Sequence, residues 1–179
     1  VYSNRGNVLM KMKKYDLAIR DYNKAIEIDP GYAKGYSNRG VVYNNIGKFD
    51  LAIQDYTKAI ELDKWSGKAY NNRGFAHENM GKYKEALEDY TRAIELEPEM
   101  AEAYVNRGRL YLQKGDYKKV IDDSNKALGL DPSLAEAYFN RGTARLASGN
   151  LDGAIEDFGK GERLNLKAVA LYINRGLAY

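Results

Sequence analysis

The sequence predicts an all-α fold built as an array of antiparallel helix pairs. Three observations carry that expectation. First, Tyr-x-Asn-Arg-Gly begins at Tyr2, Tyr36, Tyr70, Tyr104, Tyr138 and Tyr172, a constant spacing of 34 residues with no insertion. Such a period marks short stacked units rather than a single globular core. Second, the apolar residues inside each period recur at helical spacing, not at strand spacing. Third, glycine and proline punctuate the period at fixed places. The repeats run approximately over 1–32, 33–66, 67–100, 101–134 and 135–168, with part of a sixth over 169–179, all in one array.

The unit Ala33–Ser66, numbered from position 1 to position 34, shows why each half is helical. In the first half Tyr36, Gly40, Tyr43 and Ile46 share one helix face. Gly47 follows, where a left-handed residue ends a helix. In the second half Phe49, Ala52, Ile53, Tyr56, Ala59 and Ile60 again have the helical period. Asp50 lies in the first turn of that half, where the helix dipole favours an anion. A short turn between two amphipathic helices makes them antiparallel neighbours. Pro30, Pro98 and Pro132, all at position 32, end the second helix, because proline cannot continue it. Lys64 and Leu166 replace proline there, so those turns are less sharply marked. A last helix is expected near Val169 to Tyr179.

Glycine at position 8 needs a reason, because a glycine inside a helix costs about 1 kcal/mol against alanine. It recurs at Gly6, Gly40, Gly74, Gly108, Gly142 and Gly176. The expected reason is a close helix contact, with the small Ala18, Ala52, Ala86 and Ala154 of position 20 opposite. Aromatic residues at positions 4, 11, 17 and 24 then fill the space around it.

Composition removes several function classes. There is no cysteine and one histidine, so disulfides, thiolate nucleophiles and a zinc site are excluded. No glycine-rich phosphate loop, nucleophile elbow or paired catalytic carboxylates occur. The chain is expected to be non-catalytic and to need no cofactor or metal. Mean hydropathy is −0.63, and no apolar run is long enough to span a membrane. The net charge is only +3, and no block is strongly basic, so nucleic acid is not an expected partner.

The pattern aromatic-4, Gly-8, Tyr-11, Ala-20, Tyr/Phe-24, Ala-27, Pro-32 resembles the tetratricopeptide repeat family over the whole chain. The resemblance implies a right-handed superhelical solenoid with a concave groove, and a binding scaffold rather than a catalyst. Position 7, commonly leucine in that family, is here always arginine, and position 23 is always aspartate in the five full repeats. Position 7 lies beside the close helix contact, so its guanidinium needs a carboxylate. An internal ladder is expected: Arg5–Asp21, Arg39–Asp55, Arg73–Asp89, Arg107–Asp123 and Arg141–Asp157, with the preceding repeat's aspartate as the alternative partner. The competing reading is a row of arginines gripping phosphate or an acidic ligand.

The family lines its groove with the first helix of each repeat, which here implicates two groups of residues. Asn4, Asn38, Asn72, Asn106, Asn140 and Asn174 form a row at position 6. A primary amide both donates and accepts, so the row could hold the backbone of an extended peptide. Backbone capture is the favoured reading, and the alternative is that these asparagines cap or bridge neighbouring helices. Asn7, Lys34, Lys68, Asn71, Val105, Arg109 and Phe139 complete the candidate groove, which is amide-rich in the N-terminal half and apolar in the C-terminal half. The carboxylate clamp of some relatives is matched only by Asn7, Asn38 and Lys68; Ser3 and Asn72 stand where cations are required. His77, at a core-facing position 11, reads as a packed imidazole. Val120 and Ser124 imply a repacked fourth repeat, and Gly161 a weakened last helix. The partner class is a protein or peptide. The alternatives are a recognition arm of a larger enzyme, and homo-oligomers stacked through uncapped terminal repeats.

Overall fold

The structure is a computed structural model and describes residues 1–164. Among these residues there are ten helices and no strand. They are α1 (Tyr2–Lys11), α2 (Tyr15–Ile28), α3 (Ala33–Asn45), α4 (Phe49–Leu62), α5 (Gly67–Asn79), α6 (Tyr83–Leu96), α7 (Ala101–Gln113), α8 (Tyr117–Leu130), α9 (Ala135–Ala147) and α10 (Leu151–Arg163). The helix expected near Val169 to Tyr179, and Asn174 with it, lie outside the described residues. The chain divides into two compact units, Val1–Leu96 and Glu97–Tyr179. Among the described residues the first holds three helical hairpins and the second holds two.

Inside each unit the hairpin partners pack most closely, and the second helix of one hairpin packs on the first helix of the next. The cores are therefore built from three consecutive helices. Ala18 and Tyr22 of α2 meet Val42 of α3, and Ala52 and Tyr56 of α4 meet Ala76 of α5. In the second unit Ala154 and Phe158 form the equivalent centre, with Phe139, Leu146 and Ile155 against it. Burying each such ring contributes roughly 1.5–3 kcal/mol.

The position-8 glycines make room first of all for a ring, which adds to the expected small-against-small contact. A Cβ on Gly6, Gly40 or Gly142 would meet the position-24 ring, of Tyr22, Tyr56 or Phe158, at 2.7, 2.8 and 2.7 Å. At Gly74 a ring carbon of Tyr90 stands at 2.9 Å, and the backbone oxygen of Ala86 is next at 3.2 Å. Position 24 is fully buried in these four repeats, so the ring cannot retreat. In the fourth repeat Ser124 replaces the ring, and the nearest atom to a Cβ on Gly108 is 3.6 Å away.

Each hairpin turn carries a left-handed residue: Lys13 at φ 57°, then Gly47, Gly81, Gly115 and Gly149. The turn closes in the same way at Lys13 as at Gly47, for the N–H of Lys14 donates to the Leu9 carbonyl as that of Lys48 does to Tyr43, both at 2.9 Å. α2, α4, α6 and α8 stop in register, although α4 is followed by Lys64 rather than proline. Asp29, Asp63 and Asp131 are the C-caps of α2, α4 and α8, and each carboxylate accepts the N–H two residues on, at 3.0, 3.1 and 2.8 Å. This Asx-type turn follows three of the second helices, and at Asp63 it is present with Lys64 in place of proline. α10 continues through the buried Gly161 to Arg163, so the glycine does not end that helix early.

Candidate functional site

In each described repeat the position-7 arginine of the first helix grips the position-23 aspartate of the second through two parallel bonds. Nε and Nη2 of Arg39 reach Asp55 at 2.8 and 2.6 Å. The other pairs are Arg5–Asp21 at 2.7 and 2.6 Å, Arg73–Asp89 at 2.9 and 2.7 Å, Arg107–Asp123 at 2.9 and 2.8 Å, and Arg141–Asp157 at 2.9 and 2.7 Å. The aspartates are buried in all five, whereas the Arg5 side chain is 64% exposed against 19% for Arg39. The guanidinium planes lie against aromatic faces, Arg39 between Tyr36 and Tyr43 and Arg107 between Tyr104 and Tyr111. The bond to Asp55 holds Arg39 above its ordinary pKa despite burial. Hydrogen bonding to Arg5 holds the Asp21 carboxyl below its ordinary value.

The sequence pattern contained a third partner that the ladder did not include. Nη1 of Arg39 donates to Asn23 at 2.6 Å, that of Arg73 to Thr57 at 3.2 Å, and that of Arg141 to Asn125 at 2.6 Å. These acceptors all stand at position 25 of the preceding repeat, which is Asn or Thr in the first four repeats and Gly159 in the fifth. One arginine thus fastens its own hairpin and staples it to the previous one. Arg145, at position 11 where the second and fourth repeats carry Tyr43 and Tyr111, also donates to Asp157, at 2.8 Å. His77 occupies position 11 of the third repeat, with Nδ1 3.2 Å from Asp89 and off the line of a hydrogen bond. Burial lowers its pKa, opposed by Asp89.

The position-6 asparagines do not behave as one uniform row. Nδ2 of Asn38 donates to Asn7 at 3.1 Å, and Asn7 also accepts from the Tyr22 hydroxyl at 2.7 Å. Burial raises the pKa of that hydroxyl to about 12. Asn106 accepts from Arg109, which is paired with Glu136 at 2.6 Å. Asn4 is exposed and Asn72 half-buried. Asn140 is only 2% exposed and donates to the backbone carbonyl of Val105 at 3.4 Å. Asn140 is therefore corrected to a bridge between α9 and α7. Val105 is corrected likewise, being 5% exposed, so its side chain is not a groove surface. Phe139 is half-buried and packs against Phe158 with ring centres 6.2 Å apart. Lys34 and Lys68 are exposed, and Asn71 is half-buried. Phe75, 39% exposed on α5, is an apolar first-helix residue that the amide-rich reading passed over; its position 9 was the available signal.

Among the described residues no group of His, Cys, Asp and Glu could hold a metal, and no helix is long and apolar enough to cross a membrane.

A tetratricopeptide repeat profile matches residues 1–32, 33–65 and 67–100, and related profiles match 89–122, 108–149 and 135–167. A crystal structure of MamA is similar at 30% identity and TM-score 0.79, covering 90% of this chain and 95% of MamA. The first TPR of Spaghetti (RPAP3), solved bound to the HSP90 peptide SRMEEVD, is 35% identical with TM-score 0.61, over 63% of this chain and 89% of that one. YrrB, described as a TPR protein with an unusual peptide-binding site, shares the fold at 23% identity and TM-score 0.77, over 98% of this chain and 90% of YrrB. No curated protein sequence matches. With the 34-residue period, the helical hairpins and these matches together, the chain belongs to the tetratricopeptide repeat family.

Proposed function

We propose that this chain is a non-catalytic protein-interaction scaffold whose first helices take up an extended peptide segment of a partner. One observation carries the reading. In the Val1–Leu96 unit, α1, α3 and α5 are successive neighbours, and their amides Asn7, Asn38, Asn71 and Asn72 are half-buried rather than sealed in. Half-buried amides can exchange hydrogen bonds with a peptide backbone without selecting a side chain. The bond between Asn38 and Asn7 uses one donor of Asn38 and leaves its carbonyl oxygen for a ligand N–H. The related TPR of Spaghetti (RPAP3), solved with an HSP90 peptide, supports peptide binding as the class of activity.

Charge divides the two units. Lys34 and Lys68 are exposed at position 2 in the first unit, where the second unit has Glu102 and Glu136. The Val1–Leu96 unit therefore favours acidic segments. A peptide pool displayed on beads, captured by the whole chain and identified by mass spectrometry, supplies ligands for calorimetry. Each rung contributes about 0.5–1.5 kcal/mol, so Asn38→Ala with Asn72→Ala should weaken binding by roughly tenfold. Unchanged affinity with an unchanged circular dichroism spectrum removes the amides from the mechanism.

A further inference from the structure

The turn edge of the hairpins carries a feature unrelated to the first-helix amides. A pocket of about 490 Å³ opens between the first hairpin turn, Lys14 to Leu17, and Ile46 of the next hairpin. A second, of about 310 Å³, opens between Lys48 to Leu51 and Met80. The linings are equivalent one repeat apart: Leu17 and Leu51, Ile46 and Met80, Lys14 and Lys48. Leu17 and Leu51 are 44% and 37% exposed, though neither is needed to close the hairpin core. Ile46 lines the first pocket and its chain neighbours Gly47 and Lys48 line the second, so the turn Ile46–Lys48 is the wall between them. No atom outside the turn's own neighbouring residues lies within 4 Å of where a Cβ on Gly47 would stand, so the backbone of this turn faces open space.

That geometry selects a ligand shape. Packed helices have axes about 8–10 Å apart, so pockets one first helix apart repeat at about that step. A polyproline II segment returns to the same face every third residue, after about 9 Å. It can seat one apolar side chain in each pocket while its backbone crosses the wall. An α-helix would instead need a continuous groove for its apolar stripe, and the wall interrupts one. Charge selects further. Lys13, Lys14, Lys48, Lys82 and Lys84 lie on this edge with the positive ends of α2, α4 and α6, against Asp16, Asp50 and Glu85.

We propose that the turn edge of the Val1–Leu96 unit is a second docking surface, taking an extended acidic segment with an apolar residue at every third position. It is independent of the first-helix reading above. The test uses the whole chain and a fluorescein-labelled synthetic peptide of repeated Leu-Glu-Pro triplets, followed by anisotropy. The peptide should bind, and more weakly as ionic strength rises. Leu17→Asp combined with Leu51→Asp should weaken it about tenfold or more, equivalent to about 1.4 kcal/mol. Lys14→Glu with Lys48→Glu, which alters only exposed groups, should do the same and serves if the leucine variant loses its helical spectrum. Asn38→Ala with Asn72→Ala should leave this affinity unchanged, which separates the two surfaces. The proposal is overturned if the peptide fails to bind, if both edge variants bind like the parent, or if a helix-forming Leu/Glu/Ala peptide of equal charge binds more tightly.

Discussion

Replacing Gly40 by alanine separates a glycine that the packing requires from one retained without that need. The added methyl on Gly40 would stand 2.8 Å from Cε1 and 3.0 Å from Cζ of Tyr56. Tyr56 is fully buried, so relief must come from shifting α3 against α4. Overpacking of this kind costs about 1–3 kcal/mol, and the gain in helix propensity returns about 1 kcal/mol. Gly40→Ala should therefore destabilise by up to about 2 kcal/mol. Gly108→Ala meets its nearest neighbour at 3.6 Å, an ordinary contact, so the propensity gain stands nearly alone and the change should stabilise by up to about 1 kcal/mol. Urea midpoints by circular dichroism measure both, compared as shifts because repeat arrays need not unfold in two states. In a Tyr56→Ser background, which reproduces the fourth repeat, Gly40→Ala should turn neutral or stabilising, a coupling of about 2 kcal/mol. Equal shifts for Gly40→Ala and Gly108→Ala, or no coupling to Tyr56, would refute the account of the glycine.

Three further outcomes follow from the same geometry. Asp55→Ala leaves the Arg39 guanidinium in a site built for a carboxylate and should cost about 3–5 kcal/mol; Asp21→Ala, whose partner Arg5 is largely exposed, should shift the thermal midpoint less. His77 has a folded-state pKa below its ordinary 6.5, so the unfolded chain binds its proton first, and stability is full above that value and falls as pH drops below it. His77→Tyr should flatten this part of the pH–stability curve between the ordinary and the lowered pKa, as read from urea midpoints at successive pH values. Lys13→Gly relieves a left-handed residue at φ 57° and should stabilise by about 1 kcal/mol, seen as a higher thermal midpoint.

The fold was legible because the period is exact in register and each unit restates the same local signals. A left-handed turn residue, glycine in all but the first hairpin, and apolar helix faces recur from copy to copy, and local agreement of this kind defines a foldable sequence. The arginine partners were legible for a related reason. A charged residue constant beside a buried contact demands an equally constant counter-charge, and only position 23 supplied one. The third contact was harder to see, since Asn23, Thr57 and Asn125 share an acceptor oxygen but not an identity. Side-chain direction limited the rest. Position 6 repeats faithfully, yet a few degrees of helix rotation decide whether its amide meets a ligand or the neighbouring helix. Asn140 shows the outcome for one copy: its amide reaches the Val105 carbonyl and is sealed from solvent. Asn4, of the same residue type and register, is exposed. Periodicity fixes which residues are equivalent, whereas the packing of each neighbour fixes what an equivalent residue can touch. An equivalent position is therefore a candidate for binding only in those copies whose packing leaves its side chain accessible, as at Asn4 and not at Asn140.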